Sequence, residues 1–312
     1  MTNTEQIEEL QELLREDPEN FRARRDLAVV LTDAGFPNEA AQHLLYLIKK
    51  FPDDSELYYN LGIAHEKQKL FEKARSDYLK SIELNPDNMD SVYNLGLIFT
   101  ELKEYDKGIE CFKKILAADA NDSNSYFNLG ICYFKKGDLV RAIEQFQYTI
   151  DINDSDLYAH FYIGNILFEM KDYEDAKEEF NKVIELSPDY SWAYYNLACI
   201  AFEEKDFGQV GAYLDKTIEL NPRDEGAYIN YAKLMAKMNM YEEAKMVMNS
   251  AAENCPNRGQ MYYYAAQMSK NMNYQDDYGM YLNAALENRD TLNVDINKVM
   301  AELEAVSENL AE

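Results

Sequence analysis

No stretch of this chain comes near the roughly 20 consecutive apolar residues that a membrane span needs,. Its opening, MTNTEQIEEL, has neither a basic start nor an apolar core, so nothing there reads as a secretory leader, and the expected location is cytoplasmic,. The 4 cysteines (Cys111, Cys132, Cys199, Cys255) show no CxxC spacing, which argues against a disulfide framework or a zinc site,. His43, His65 and His160, the only 3 histidines, lie far apart in the chain, and two of them take core-facing places. Glycine-rich phosphate loops, nucleophile elbows and HExxH are all missing. Nothing therefore points to catalysis, and no cofactor or metal is implied. Basic residues are scarce too: 31 against 57 acids, for a net charge of −26, which repels nucleic acid and anionic membrane,. The one basic cluster, Arg15, Arg22, Arg24 and Arg25, is flanked by acids. The same charge also keeps a chain with much surface in solution.

Proline numbers only 7, yet Pro18, Pro52, Pro86, Pro188, Pro222 and Pro256 fall on one lattice spaced by 34 residues or its multiples. Such a period marks an internal repeat. A small residue recurs in step at Ala28, Gly62, Gly96, Gly130, Gly164, Ala198, Ala232 and Ala266. Each block carries two apolar runs at helical spacing, for example Tyr58, Leu61, His65 and then Ala74, Tyr78, Ile82, split by a short polar turn,. That is a helical hairpin, with small residues where the two axes approach. Proline after the second helix has no amide hydrogen and separates one hairpin from the next.

This pattern resembles the tetratricopeptide repeat family, and residues 157–190 carry it best: Ile163-Gly164, Leu167, Tyr173, Ala176, Phe180, Val183 and Pro188. Eight blocks fit: 21–54, 55–88, 89–122, 123–156, 157–190, 191–224, 225–258 and 259–292. The resemblance implies an all-α fold, a right-handed superhelical α-solenoid of tetratricopeptide hairpins. Residues 1–20 are expected to be an N-terminal capping half-repeat, with Ile7, Leu10 and Leu14 on one face,. Residues 293–312 are expected to form a C-terminal capping helix, with Ile296, Val299, Met300, Leu303, Val306 and Leu310 on one face,. Departures from the pattern are Ala120 and Asp154 in place of proline, Val210 at a small-residue place, and an apparent loss of one residue near Tyr274.

At about 100° per residue, the second, fifth, sixth, ninth, twelfth and thirteenth places of each first helix share one arc of roughly 120°. In a stacked array these arcs should join into a concave wall, and the family resemblance implies the same face for an extended peptide or a partner's helix. Blocks one to three place Arg22, Arg25, Asp33, Glu56, Tyr59, Asp90, Tyr93 and Glu101 there, a polar stretch with acids ahead. Blocks four to six place Phe127, Phe134, Tyr158, Phe161, Phe168, Trp192, Tyr195 and Phe202, the candidate peptide-binding rings. Burying about 500 Å² of them is worth on the order of 12 kcal/mol gross. Packing between repeats is the competing use of these rings. Asn60, Asn94, Asn128, Asn196 and Asn230 recur at the sixth place and are candidates to bond a peptide backbone,. The row resembles the asparagine ladder of the protein O-linked N-acetylglucosamine transferases; Asp26, Tyr162 and Tyr264 break it. Lys233, Lys237 and Lys270 make the last blocks mildly basic. A carboxylate clamp like that of chaperone-binding members is not expected, since its register would read Arg25, Val29, Asn60, Asp90 and Asn94.

Nine of 13 methionines lie in the last two blocks, mostly at packing places,. Together these features predict a non-enzymatic scaffold that binds a protein or peptide partner, with no nucleic acid or membrane partner and a monomer as the expected state. The alternative is a self-associating structural protein whose inner-face rings form an interface.

Overall fold

Eighteen α-helices order the described residues of the computed structural model, which comprise residues 2–311, with side chains through Val306. Leu310, expected on the capping face, lies outside the described side chains. The helices are α1 Asn3–Glu16, α2 Phe21–Asp33, α3 Pro37–Lys50, α4 Ser55–Lys67, α5 Phe71–Leu84, α6 Met89–Glu101, α7 Tyr105–Ala118, α8 Ser123–Lys135 and α9 Leu139–Ile152. They continue as α10 Leu157–Glu169, α11 Tyr173–Leu186, α12 Ser191–Glu203, α13 Phe207–Leu220, α14 Glu225–Lys237, α15 Tyr241–Asn254, α16 Arg258–Asn271, α17 Gln275–Glu287 and α18 Ile296–Ala311, with a 3-10 turn at Arg289–Thr291 before the last. Among the described residues there is no strand. The chain divides into two compact units, 1–166 and 167–312, the division falling within α10. Each unit is a run of antiparallel helices of α-solenoid type.

Local chemistry sets these boundaries. First helices start where Asn20, Asp54, Asn88, Asp156 and Asp224 accept a backbone N–H from the first turn. Such N-caps are each worth about 1 kcal/mol. Between paired helices the backbone turns through positive φ at Gly35, Lys69, Lys103, Gly137, Lys171, Lys205, Asn239 and Asn273, again 34 residues apart. Here a Schellman-type bond closes each first helix, as from Leu70 N–H to the carbonyl of His65,. The lattice reaches Asn273 unbroken and α17 starts at Gln275, so the expected loss of a residue near Tyr274 is absent. Proline proves dispensable as a stop: α7 and α9 end in register although Ala120 and Asp154 follow them.

Size complementarity builds the core. The eighth place of each first helix faces a residue 16 positions on. A β-carbon on Gly62, Gly96 or Gly130 would lie within 3 Å of the ring of Tyr78, Phe112 or Phe146. Where the partner is aliphatic, alanine stands instead, as in Ala28 with Leu44 and Ala198 with Leu214, all fully or nearly fully buried. Val210, at a small-residue place, is buried in the same cluster as Ala198 and Ala201.

The two ends behave differently. In the N-terminal unit α1 lays Ile7, Leu10 and Leu14 on the first core cluster. In the C-terminal unit α18 buries Val299 and Val306, while Ile296 and Met300, expected on the same face, are exposed. The helix is turned so that Glu302 reaches inward, accepting hydrogen bonds from the Tyr278 hydroxyl (2.9 Å) and Gln267 Nε2 (3.1 Å).

Candidate functional site

In the N-terminal unit the aromatic residues of α8 and α10 converge on one ring that the asparagine row lacks. Tyr162 stacks on the buried Phe146 at 5.2 Å and 15°, and meets Phe127 and Phe134 edge-on at 5.8 and 5.7 Å. Phe161 lies 6.4 Å away. Phe127 also rests 5.5 Å from Phe146, so the cluster stands on the hairpin core. Phe127, Phe134 and Phe161 are half-buried, whereas Tyr158 is 58% exposed.

Towards the N-terminal end, the same arc turns acidic. A cleft of about 370 Å³ is lined by Asp90, Asp119 and Asp122 around Tyr93, with no lysine or arginine among its walls. Burial first, and then the charge of Asp122, raise the Tyr93 phenol above its usual value, while the bond from Asn128 works the other way,.

In the C-terminal unit, Trp192 at the start of α12 is 40% exposed and meets Tyr195 edge-on at 5.7 Å. Phe168 and Phe202 are half-buried, packing beside Tyr173 (5.8 Å) and Phe207 (6.3 Å). The Lys237 ammonium hangs 5.8 Å from the Phe202 ring. Burial raises both the Tyr195 phenol and the Cys199 thiol that is hydrogen-bonded to it; the nearby Lys237 opposes the thiol's rise. Lys233, Lys237 and Lys270 are exposed. Gln260 and Tyr263, also at inner places, are not open: both are buried under the terminal segment, Gln260 accepting from the Asn293 N–H at 2.9 Å.

Two of the asparagines, Asn94 and Asn128, bond tyrosines of the preceding block. Asn128 Nδ2 donates to the Tyr93 hydroxyl at 2.8 Å and to the Asn124 carbonyl at 2.9 Å, which uses both amide hydrogens. Asn94 likewise bonds the Tyr59 hydroxyl. These pairs join the fifth place of one block to the sixth of the next. At two of the fifth places without a hydroxyl the sixth is a tyrosine: Phe127 meets Tyr162, and Ile229 and Tyr264 pack on one core cluster; Arg25 and Phe161 are still followed by Asn60 and Asn196. Lys298 of α18 occupies the same relation to Tyr263, 6.0 Å from its ring. In the sequence Tyr162 stands out only as a break in the asparagine row; its place at the meeting of Phe127, Phe134 and Phe146 comes from the fold.

Among the described residues no group of three His, Cys, Asp or Glu is placed to hold a metal, and no helix is long and apolar enough to cross a membrane. His65 Nδ1 lies 2.6 Å from Asp77, a partly buried pair on the hairpin core in which burial raises the carboxyl despite the bond.

Comparison with known proteins agrees with this architecture. Family models described as tetratricopeptide repeat match residues 55–88, 1–57, and 77–110 with 179–209. One described as anaphase-promoting complex, cyclosome, subunit 3 matches 109–183. No curated protein sequence matches. Among solved structures, a MamA RS-1 double mutant is 25% identical over 55% of this chain and 96% of its own, with a TM-score of 0.52. Yeast Tom70 is 18% identical over 95% of this chain and 66% of its own (TM-score 0.61). A tetratricopeptide repeat protein from Parabacteroides merdae is 14% identical over 81% and 99% (TM-score 0.59). At those identities the last two show the fold alone.

Proposed function

The chain belongs to the tetratricopeptide repeat family, and we propose that it is a non-enzymatic, cytoplasmic scaffold that holds a peptide segment of a partner protein against its first-helix faces. The observation that carries this reading is aromatic surface exposed to solvent on the first-helix faces: Tyr158 at 58% in one unit and Trp192 at 40% in the other. Rings of this size contribute most of the energy in protein contacts, and tyrosine and tryptophan are the residues that most often dominate them. Phe127, Phe134 and Phe161 supply the apolar ground around the first, and Phe168, Tyr195 and Phe202 that around the second. Each group serves as an anchor within its own unit.

Asn60, Asn94, Asn128, Asn196 and Asn230 are read as backbone partners of the bound segment, with two of them restricted: Asn94 already bonds the Tyr59 hydroxyl. The amide hydrogens of Asn128 are already donated within the protein, so it has only its carbonyl oxygen to offer. Lys233, Lys237 and Lys270 line the basic end of the face. Nucleic acid and membrane are not proposed as partners, because a charge of −26 opposes both,.

Capture from a native cytosolic extract by the wild-type chain and by a Y158S/W192S variant tests the reading. Both rings are exposed, so the variant should keep its helical circular dichroism and melting temperature while losing the recovered partners. Undiminished recovery would refute it. Light scattering separates self-association: a concentration-independent mass near 36.3 kDa excludes the homo-oligomer.

A further inference from the structure

The lysines on the paired helices of the C-terminal unit fall into two classes, apart from Lys171 and Lys205 in turns and Lys298 on α18. Those on second helices are all paired: Lys177 with Glu174 and Glu204, Lys182 with Glu185, Lys216 with Glu219, and Lys245 with Glu242 and Asp277. Lys233, Lys237 and Lys270, the lysines of the first helices α14 and α16, have no carboxylate partner among the described residues; Lys237 and Lys270 instead lie over the rings of Phe202 and Tyr278. The inner places of α12, α14 and α16 hold these three lysines and a single acid, Glu203, so this face is positive on a protein of charge −26. Glu302 of α18, held by Tyr278 and Gln267, adds one negative charge at the end of this face, and Lys298 of the same helix adds one positive charge there.

We propose that this face selects an acidic segment of a protein partner, with carboxylates on alternate residues meeting Lys233 and Lys237 and an apolar side chain resting on Phe202. Spacing supports it. Lys233 and Lys237 are one helical turn apart, a rise of about 6 Å, and alternate residues of an extended strand are separated by about 6.6 Å. An ammonium beside an aromatic face also gains from a carboxylate that completes the ion pair away from bulk water. The inference deepens the scaffold reading above and rests on it.

The test is fluorescence anisotropy with a labelled peptide of alternating Glu and Leu/Phe and its Gln-for-Glu counterpart, at 50 and 200 mM salt. The Glu peptide should bind at least tenfold more tightly, lose much of that advantage at high salt, and lose the rest with a K233Q/K237Q variant that retains its circular dichroism. Equal binding of both peptides would overturn charge selection while leaving peptide capture standing; binding of neither would overturn both. A preference that survives in K233Q/K237Q, or displacement by single-stranded DNA at equal charge concentration, would also overturn the proposal.

Discussion

Adding one methyl group at Gly130 tests the contact on which the N-terminal aromatic cluster stands. A β-carbon there would lie 2.7, 2.9 and 3.0 Å from three atoms of the Phe146 ring, where comfortable carbon contacts begin near 3.5 Å. The ring has nowhere to go: it is fully buried, stacked 5.2 Å from Tyr162 and 5.5 Å from Phe127. Overpacking of this kind costs about 1–3 kcal/mol, and alanine's better helix propensity returns about 1. Gly130→Ala should therefore destabilise by up to about 2 kcal/mol. Phe146→Leu alone leaves a gap and removes two ring contacts, at about 1–2 kcal/mol. The double variant reproduces the combination already present as Ala28 with Leu44 and Ala198 with Leu214. It should be more stable than the sum of the singles by about 1–3 kcal/mol. A repeat array opens piecewise, so the assay is hydrogen exchange of the α8 and α9 amides alongside urea unfolding. Effects that add within about 0.3 kcal/mol would refute the argument, because the methyl would then have been absorbed elsewhere.

Three further outcomes are expected. A double-mutant cycle on Tyr93→Phe and Asn128→Ala should give a coupling of about 1 kcal/mol, and an additive cycle would mean that the hydrogen bond does not join the two repeats. Glu302→Ala leaves the Tyr278 hydroxyl and the Gln267 amide without an acceptor, so it should cost about 1–3 kcal/mol and make α18 the first segment cut by limited proteolysis, whereas a Glu304→Ala control on the exposed side should not. Burial pushes the Cys111 and Cys255 thiols up to about 11, which leaves roughly a hundredfold less thiolate at pH 8 than in the unfolded chain. The sign follows: these raised values favour folding below the unfolded pKa, and that contribution is lost as pH climbs through about 11. Alkylation followed by mass spectrometry should find both thiols slow until urea is added.

The repeat was legible because every block restates it in local terms. N-cap residues at Asn20, Asp54 and Asn88, left-handed turns at 34-residue steps, and glycine opposite a ring but alanine opposite leucine all depend on residues close in sequence or one hairpin apart. Register was harder. Near Tyr274 the side-chain pattern suggests a lost residue, yet the turn at Asn273 holds its place, since closure there depends on a residue at positive φ rather than on any one apolar side chain,. Likewise Ala120 and Asp154 do not extend their helices, because the extended backbone of Asp119 and Asn153 has already ended them.

The inner face was legible only as a set of places. Periodicity alone decides that Phe127, Asn128 and Tyr162 share an arc, that Trp192 starts a first helix and that Lys233 and Lys237 are one turn apart. Which of these groups is already occupied was decided in three dimensions. Asn128 is taken by Tyr93, Tyr162 gathers the rings around Phe146, and Gln260 and Tyr263 are covered by the segment leading into α18, while Lys233 and Lys237 keep no carboxylate. Hydrogen bonds and ring contacts are short-ranged and directional, so they depend on how neighbouring helices meet, and a repeating sequence specifies each helix more sharply than it specifies that meeting.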